Sequence, residues 1–366
     1  MDNYRPQVGT GLADLDTPCL MVDLDALEHN YDLIAKTYED SECKMRTHTK
    51  NLKSPLLAHM QIRAGGTVGG VCTAKVAEAE VMVEGGIDDI LIPNQVVTRD
   101  KIVRLCTLAK RATIMVAADN ADNIRELSEI AVEHGVKIGV VVEVDTQMHR
   151  AGIRNTQTGV DLARVATVAA GIDFRGVMCH QAAQGSPDRE TRFIEGRRLI
   201  QTALDVRDAI VADGMPVEVV SAGETWTYDL CATIPGVTEV EGGTYALMSH
   251  GYGYMEDFEY AATILGTVIS TPRPGVAIGD TGSRCLGSPG GVLPQLAGMS
   301  GVAIDSLQEQ HIVLKSEGNM PLKVGDKYQL ISGQQDIMVN RWDQYIAMRD
   351  GSVEAVWDIP GRGCHN

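Results

Sequence analysis

Short apolar runs alternate with helical stretches from residue 17 to about residue 254, and this alternation restricts the fold more than any other feature of the chain. Residues 20–23 resemble a strand, and residues 24–38 carry apolar side chains at helical spacing. Later apolar runs of strand length, each with a helical stretch after it, are 67–72, 90–92, 112–116, 137–144 and 174–178. This rhythm predicts parallel βαβ units, and six or more such units favour a (β/α)8 barrel over an open sheet.

The pattern changes after about residue 258. Short strand-like segments separated by turn residues replace the strand and helix alternation, at 261–270, 301–305, 311–315, 327–331 and 335–340. The sequence therefore predicts an α/β protein in which a TIM-type barrel is followed by a C-terminal all-β domain.

Composition excludes several classes of partner. The chain has 32 Lys and Arg against 49 Asp and Glu, for a formal net charge of −17. This acidic balance argues against binding to nucleic acid or to an anionic membrane surface. The apolar runs are strand-sized, and residues 1–12 are polar, so neither a membrane span nor a secretory signal is expected. Eight scattered cysteines without a Cys-x-x-Cys pair predict reduced thiols in a cytoplasmic protein.

Lys50 is the first candidate for a chemical role. A lysine amine forms a Schiff base with an aldehyde cofactor, and Lys50 follows a predicted strand at 44–46. Barrel active sites lie at the carboxyl ends of strands, where this places it. A solvated surface lysine is the alternative, and Lys44 and Lys53 show how common lysine is in this stretch.

Arg150 lies in the segment 144–152, after a strongly apolar strand, and therefore on another loop at the carboxyl end of the barrel. A guanidinium group there can donate a hydrogen bond to an anionic phenolate oxygen or to a substrate carboxylate. An exposed turn arginine is an equally good explanation of this residue alone.

Two loops rich in glycine and hydroxyl side chains follow successive late strands. Small residues there let backbone N–H groups approach a phosphate closely, and late-strand loops are the usual phosphate position on this barrel type. The candidate phosphate ligands are Gly223, Thr225, Thr227 and Tyr228 in the first loop and Gly243, Thr244 and Tyr245 in the second.

Taken together, these motifs resemble those of the fold type III pyridoxal-phosphate (PLP) enzymes, and within them the D-threonine aldolase and D-serine dehydratase family, which is alanine racemase-like. The likeness covers nearly the whole chain. It includes the opening at 16–18, the His48-Thr49-Lys50 motif, the segment 71–91, the arginine loop at 145–152 and both phosphate loops.

The resemblance implies PLP at the strand ends, held as a Schiff base on Lys50, with Arg150 near the cofactor oxygen. It also implies a homodimer in which the β-domain, joined by the N-terminal strand, covers the site. The corresponding domain boundaries are 1–22 with 256–366 for the β-domain and 23–255 for the barrel.

The family also carries a divalent metal beside the cofactor, bound by a His-x-Asp or His-x-Cys pair. Here Asp336 keeps the acidic position, but Gln334 replaces the histidine. A glutamine amide is a much weaker ligand than imidazole for zinc or manganese. Oxygen-only binding of Mg²⁺ or Ca²⁺ and the absence of any metal both stay open.

The family chemistry implies a lyase acting on D-3-hydroxy amino acids, with retro-aldol cleavage to glycine and an aldehyde as the first hypothesis. Dehydration of a D-hydroxy amino acid and racemisation are alternatives, and a non-catalytic PLP carrier is a further one, against which the β-domain argues. His180, which follows a predicted strand, is the candidate catalytic residue beside Lys50, with Tyr252 and Tyr254 as other candidates for a second base.

Overall fold

The structure, a computed structural model, describes residues 4–180, 188–287 and 292–366. The chain divides into two compact units. We call the unit of residues 32–50, 54–243 and 364–366 the barrel unit, and the unit of residues 1–31, 51–53 and 244–363 the sheet unit. The predicted domain boundaries at residues 22 and 255 stay a prediction.

Eight parallel strands close into a barrel in the barrel unit. Numbered in chain order, they are β2 (Lys44–His48), β3 (Thr67–Cys72), β4 (Asp89–Ile92), β5 (Thr113–Ala118), β6 (Ile138–Glu143), β7 (Ile172–Cys179), β8 (Val219–Ala222) and β9 (Glu239–Val240). Each strand pairs with the next, and β9 returns to β2 through the pairs Lys44↔Glu239 and Met45↔Val240. The predicted (β/α)8 barrel is confirmed.

Helices connect the barrel strands, and three further short α-helices within the described ranges belong to the sheet unit. In the described residues they are α1 (Leu24–Thr37), α2 (Pro55–Ala64), α3 (Val76–Glu84), α4 (Arg99–Leu108), α5 (Ala121–Glu133), α6 (Thr156–Val168), α7 (Arg189–Ala212), α8 (Tyr228–Cys231), α9 (Thr244–Leu247), α10 (Ser283–Leu286) and α11 (Gln335–Val339). Asn120 and Asn155 cap α5 and α6, because each side chain accepts backbone N–H groups of the first turn. Within the described residues, no helix combines the length and the apolar character that a membrane crossing requires.

The sheet unit contains a mainly antiparallel sheet. Its strands in the described residues are β1 (Cys19–Asp23), β10 (Ala262–Arg273), β11 (Val276–Gly279), β12 (Gln295–Leu296), β13 (Ala303–Leu307), β14 (Ile312–Lys315), β15 (Lys327–Ile331), β16 (Gln344–Arg349) and β17 (Ser352–Asp358). Strand β1 lies between β10, to which it is antiparallel, and β16, to which it is parallel. The prediction of a C-terminal β-domain that is joined by the N-terminal strand is therefore confirmed.

One predicted strand is wrong. Residues 335–340 form the short helix α11 rather than a strand, with Gln334 at its N-cap. Asp336 lies in the first turn, where a carboxylate is favoured by the helix dipole. The apolar run of Ile337, Met338 and Val339 is too short for periodicity to separate a strand from a helix. Strands β11, β12, β16 and β17 were not among the predicted segments.

Candidate active site

A cavity of about 250 Å³ lies at the carboxyl ends of the barrel strands. Two of the residues that line it lie at or near the ends of β2 and β7. The others lie in the segments that follow β2, β3, β4, β6, β7 and β9. The lining residues are His48, Lys50, Ala74, Lys75, Pro93, Asn94, Arg150, Met178, His180 and Glu241. The structure thus brings together three predicted site residues that are far apart in sequence: Lys50, Arg150 and His180.

Lys50 lies in a single 3-10 turn, Thr49–Asn51, that follows β2 directly. The turn is held by Thr49, whose hydroxyl donates to the carbonyl of Cys72 at 2.9 Å. The backbone N–H of Lys50 lies 3.4 Å from Nδ1 of His48. Among the described residues, the Lys50 amine has no hydrogen-bond or ion-pair partner, so a half-buried amine faces the cavity.

Arg150 reaches the cavity from the loop after β6. Its guanidinium lies 3.8 Å from a carboxylate oxygen of the buried Glu143 and is about half exposed. Burial raises the pKa of Glu143, although a hydrogen bond from Gln95 and the charge of Arg150 oppose the shift. The loop backbone is strained, since Gln147 and His149 both have positive φ.

His180 follows β7 and lines the same cavity. Burial, together with the positive charges of Lys50 and Arg150, lowers the pKa of His180 to about 3. The imidazole is therefore neutral at physiological pH.

The first predicted phosphate loop follows β8. Gly223 has φ +89°, and a Cβ there would lie 2.5 Å from the sulfur of Cys231 and 2.9 Å from the hydroxyl of Thr227. Only glycine fits this turn without strain. The chain then enters a 3-10 turn, Thr225–Thr227, and helix α8, in which Thr225, Thr227 and Tyr228 are buried.

The second predicted phosphate loop follows β9, next to the first. A Cβ on Gly242 would lie 3.4 Å from the backbone nitrogen of Thr225. Gly243 ends this part of the barrel unit, while Thr244 and Tyr245 begin α9 in the sheet unit. The ring of Tyr245 is fully buried and packs edge-on against Tyr31.

The predicted metal residues lie in the sheet unit. Gln334 is exposed at the N-cap of α11, and Oδ1 of Asp336 accepts the N–H of Ile337 at 2.8 Å. Throughout residues 4–180, 188–287 and 292–366, no group of three or more His, Cys, Asp or Glu side chains is arranged to hold a metal ion. The donors at Gln334 and Asp336 do not fit a zinc- or manganese-type site.

Sequence reasoning missed Glu241, Lys75 and Asn94 as cavity residues. Asn94 donates to the carbonyl of Ala74 at 3.0 Å and so links two of the lining loops. Glu241 receives a hydrogen bond from Ser221 at 2.7 Å. Burial raises the pKa of Glu241 to about 7, against the lowering effect of that hydrogen bond. The available signal was an acidic residue at the end of a short strand, directly before Gly242 and Gly243.

A second charged group lies one layer below the cavity. Arg46 precedes His48 by two residues on β2, and Glu239 precedes Glu241 by two, so each pair points to the same face. Nε and one terminal nitrogen of Arg46 each contact the Glu239 carboxylate at 2.9 Å. The other terminal nitrogen lies 3.1 Å from Oδ1 of Asp89 but forms no hydrogen bond with it. Arg46 and Glu239 are almost fully buried.

Comparison with sequence families gives two matches that divide the chain between them. The family described as alanine racemase, N-terminal domain, matches residues 22–249. The family described as a putative serine dehydratase domain matches residues 261–348.

Individual relatives match over nearly the full length. A 3-hydroxy-D-aspartate aldolase from Paracoccus denitrificans (strain Pd 1222) is 34% identical, and the match covers 97% of this chain and 94% of the relative. A D-threonine aldolase from Arthrobacter sp. is 32% identical, with 98% and 95% covered. Among solved structures, the D-threonine aldolase from Filomicrobium marinum superimposes with a TM-score of 0.94 at 31% identity, covering 98% of this chain and 99% of that one.

Proposed function

Because the chain belongs to the alanine racemase-like family of D-threonine aldolases and D-serine dehydratases, fold type III PLP enzymes, we propose that it is a PLP-dependent lyase that cleaves D-3-hydroxy amino acids to glycine and an aldehyde. The arrangement of three side chains supports this proposal. Lys50, Arg150 and His180 come from three separate strand ends and line a single cavity. An amine, a guanidinium and a neutral imidazole around one space suit an aldehyde-bearing anionic cofactor and an amino acid substrate.

The cavity residues fit PLP by charge. Lys50, Lys75 and Arg150 are cationic, whereas Glu241 is the one acidic residue among the described residues that line the cavity. We propose that Lys50 holds the aldehyde and that Arg150 faces the phenolic oxygen or the substrate carboxylate. When bound, the cofactor would supply an acceptor for the electrons of the bond that breaks at Cα.

The loops after β8 and β9 are the proposed phosphate site. The tight turn at Gly223 and the packing of Gly242 against Thr225 support this assignment, because a Cβ at Gly223 would collide with Cys231 and Thr227 and one at Gly242 would lie 3.4 Å from the Thr225 nitrogen. The proposed phosphate ligands are Gly223, Thr225, Thr227, Tyr228, Gly243, Thr244 and Tyr245. For the last two, the backbone at the start of α9 is the part proposed to bind, since the Tyr245 ring is buried.

His180 is the proposed acceptor for the substrate's β-hydroxyl proton. Retro-aldol cleavage requires that this proton leave as the Cα–Cβ bond breaks and the aldehyde forms. The lowered pKa keeps the imidazole unprotonated at neutral pH but also makes it a weak base, so the proton has to be transferred to it as the Cα–Cβ bond breaks. Lys50 and His180 line the same cavity, so the amine and the base can act on one substrate.

Assembly, location and domain division are proposals that rest on the family likeness and on the cysteines. We propose a homodimer in the cytoplasm, with domains at 1–22 plus 256–366 and at 23–255. All eight cysteines are free, and six of them are buried, which suits a reducing compartment. Light scattering coupled to size exclusion would measure the mass of the particle, and a monomer would contradict the homodimer.

The cofactor assignment is tested with Lys50→Ala. We expect the purified wild-type protein to show visible absorbance from bound PLP, and the variant to lose both that absorbance and turnover. Lys75→Ala is the matched control, because it removes another lysine of the same cavity and should keep the absorbance. Equal absorbance in the wild type and in Lys50→Ala would contradict the proposal.

Product analysis on D-threonine, D-serine and D-3-hydroxyaspartate tests the reaction. Glycine with an aldehyde is the expected result. A keto acid with ammonia would identify a dehydratase, an inverted amino acid a racemase, and no turnover a PLP carrier.

A chelator tests the unfavourable donor set at Gln334 and Asp336. We expect wild-type turnover to be unchanged by a chelator, because a neutral amide and one carboxylate hold zinc or manganese poorly. Gln334→His is the informative control, since it restores the imidazole and should increase zinc affinity in a direct titration. Loss of wild-type activity with chelator, regained on adding a metal, would contradict this expectation.

A further inference from the structure

Glu241 is a cavity residue to which the proposed reaction gives no role. It follows β9 directly, and Ser221 on the neighbouring strand β8 donates a hydrogen bond to its carboxyl group at 2.7 Å. Among the described residues that line the cavity, it is the only one with a carboxyl group. The rest of the polar lining is cationic or neutral.

The surroundings leave this carboxyl group without a cation of its own. The nearest arginine below it, Arg46, is already bonded to Glu239 and close to Asp89. The thiol of Cys72 on β3 is a hydrogen-bond partner of the carboxyl group, and the thiol of Cys179 on β7 lies near it. Lys50, Arg150 and His180 line the same cavity. In the part of the chain that the structure describes, Glu241 forms no ion pair. An unpaired buried carboxylate is costly, which favours a cationic group on a ligand beside it.

The chemistry of PLP leaves one group that can pair with Glu241. The phosphate and the phenolate are anionic, so both would be repelled by a carboxylate. The aldehyde is assigned to Lys50. The imine nitrogen formed with Lys50 would be paired with the neighbouring phenolate, so the protonated ring nitrogen is the one cationic group of the cofactor that is left to pair with a protein carboxylate. We infer that Glu241 accepts a hydrogen bond from the protonated ring nitrogen of the bound cofactor, and that Ser221 positions the carboxylate for this contact.

This inference rests on the proposed function, since it concerns the same cofactor in the same cavity. A carboxylate at this position keeps the proton on the ring nitrogen, and the positive charge strengthens the ring as an electron acceptor. Glu241 is then a cofactor-contacting residue, whereas Ser221 acts through it.

A cofactor analogue with CH in place of the ring nitrogen tests the contact. Apo wild type and apo Glu241→Gln are titrated with PLP and with this 1-deaza analogue, and the dissociation constants are measured. We expect Glu241→Gln to weaken PLP binding roughly tenfold, the effect of losing a charge-assisted hydrogen bond. Binding of the analogue should not change, because it has no nitrogen to lose. Equal weakening of both ligands, or weakening of neither, would overturn the inference.

A spectroscopic readout is independent of affinity and of turnover. With PLP labelled at the ring nitrogen, the ¹⁵N chemical shift in the wild-type holoenzyme should report a protonated nitrogen from pH 6 to 9. In Glu241→Gln the shift should move to the unprotonated value in that range. Glu143→Gln is the matched control, because it neutralises another buried barrel carboxyl that does not line the cavity, and its ¹⁵N shift should stay as in the wild type.

Failure of the inference and failure of the proposed function give different results. A wild-type protein that binds no PLP overturns both. A wild-type protein that binds PLP through Lys50 but shows an unprotonated ring nitrogen overturns only the role of Glu241. The wild-type ¹⁵N titration decides this even where Glu241→Gln fails to fold.

Discussion

Charged side chains in two adjacent layers of the barrel interior differ in whether they pair with one another or face a cavity. In the lower layer, Arg46 is bonded to Glu239 and lies next to Asp89, so the charges are closed on one another. In the upper layer, Lys50, Arg150 and Glu241 face a common cavity and make few bonds to protein. Glu239 and Glu241, two residues apart at the end of β9, belong to the lower and the upper layer respectively.

The difference shows how a barrel separates stability from chemistry along the strand direction. Charges that pair within the protein stabilise the fold and are unavailable to a ligand. Charges left facing a cavity are costly in the empty protein, but they can bind an anionic cofactor without first breaking a protein contact. The carboxyl end of the strands is the reactive end in such barrels.

Of the changes considered, removing Arg46 from the lower layer should have the largest effect on stability. Arg46→Met leaves Glu239 buried without its partner, and we expect a loss of about 3–5 kcal/mol in the free energy of unfolding. The double variant Arg46→Met with Glu239→Met should recover part of that loss, because no uncompensated charge remains. Urea denaturation of the three proteins measures the effect, and a double variant less stable than the single one would argue against a closed ion cluster.

Glu241 should give the next largest effect, which depends on pH. Its folded pKa of about 7 lies above the ordinary value of 4.5. Stability from this group is therefore complete below about pH 4.5 and is lost as the pH rises through 7, by up to roughly 3 kcal/mol. Apo Glu241→Gln should gain stability relative to the apo wild type between pH 5 and pH 8. A difference between the two proteins that is equal at both pH values would contradict the raised pKa.

The smallest predicted effects on stability come from replacing Gly223, in the loop that follows β8, and Gly214. Gly223 and Gly214 have nearly identical φ, +89° and +90°, but a Cβ at Gly214 meets nothing within 4 Å. Gly214→Ala should cost about 1 kcal/mol through backbone strain. Gly223→Ala should cost about 1 kcal/mol more, because its Cβ meets the Cys231 sulfur, and only this variant should weaken PLP binding. Thermal melts and cofactor titrations compare the two, and equal behaviour would remove the special role of Gly223.

The sequence predicted the barrel and much of the cavity because both leave local signals. Alternating apolar runs indicate parallel strands, and reactive residues such as Lys50, Arg150 and His180 follow those runs directly. Glu241 was missed because contacts with residues distant in sequence place it in the cavity. These contacts are the pairing of β9 with β2 and the hydrogen bond from Ser221 on β8. The helix at Gln335–Val339 was misassigned because three consecutive apolar residues fit either period.

The position of β1 between β10 and β16 has a consequence for biosynthesis. The strand leaves the ribosome first, yet Cys19 must wait for Leu265, and Met21 must wait for Ile346. At about 5–20 residues per second, that delay is on the order of tens of seconds. The barrel strands β2–β9 are all synthesised during this interval and can close beforehand, while the apolar segment Cys19–Asp23 stays an unpaired edge open to wrong partners. A chain that is truncated before β16 would therefore have its first strand paired on one side only, which leaves an exposed strand edge for chaperones and proteases to bind.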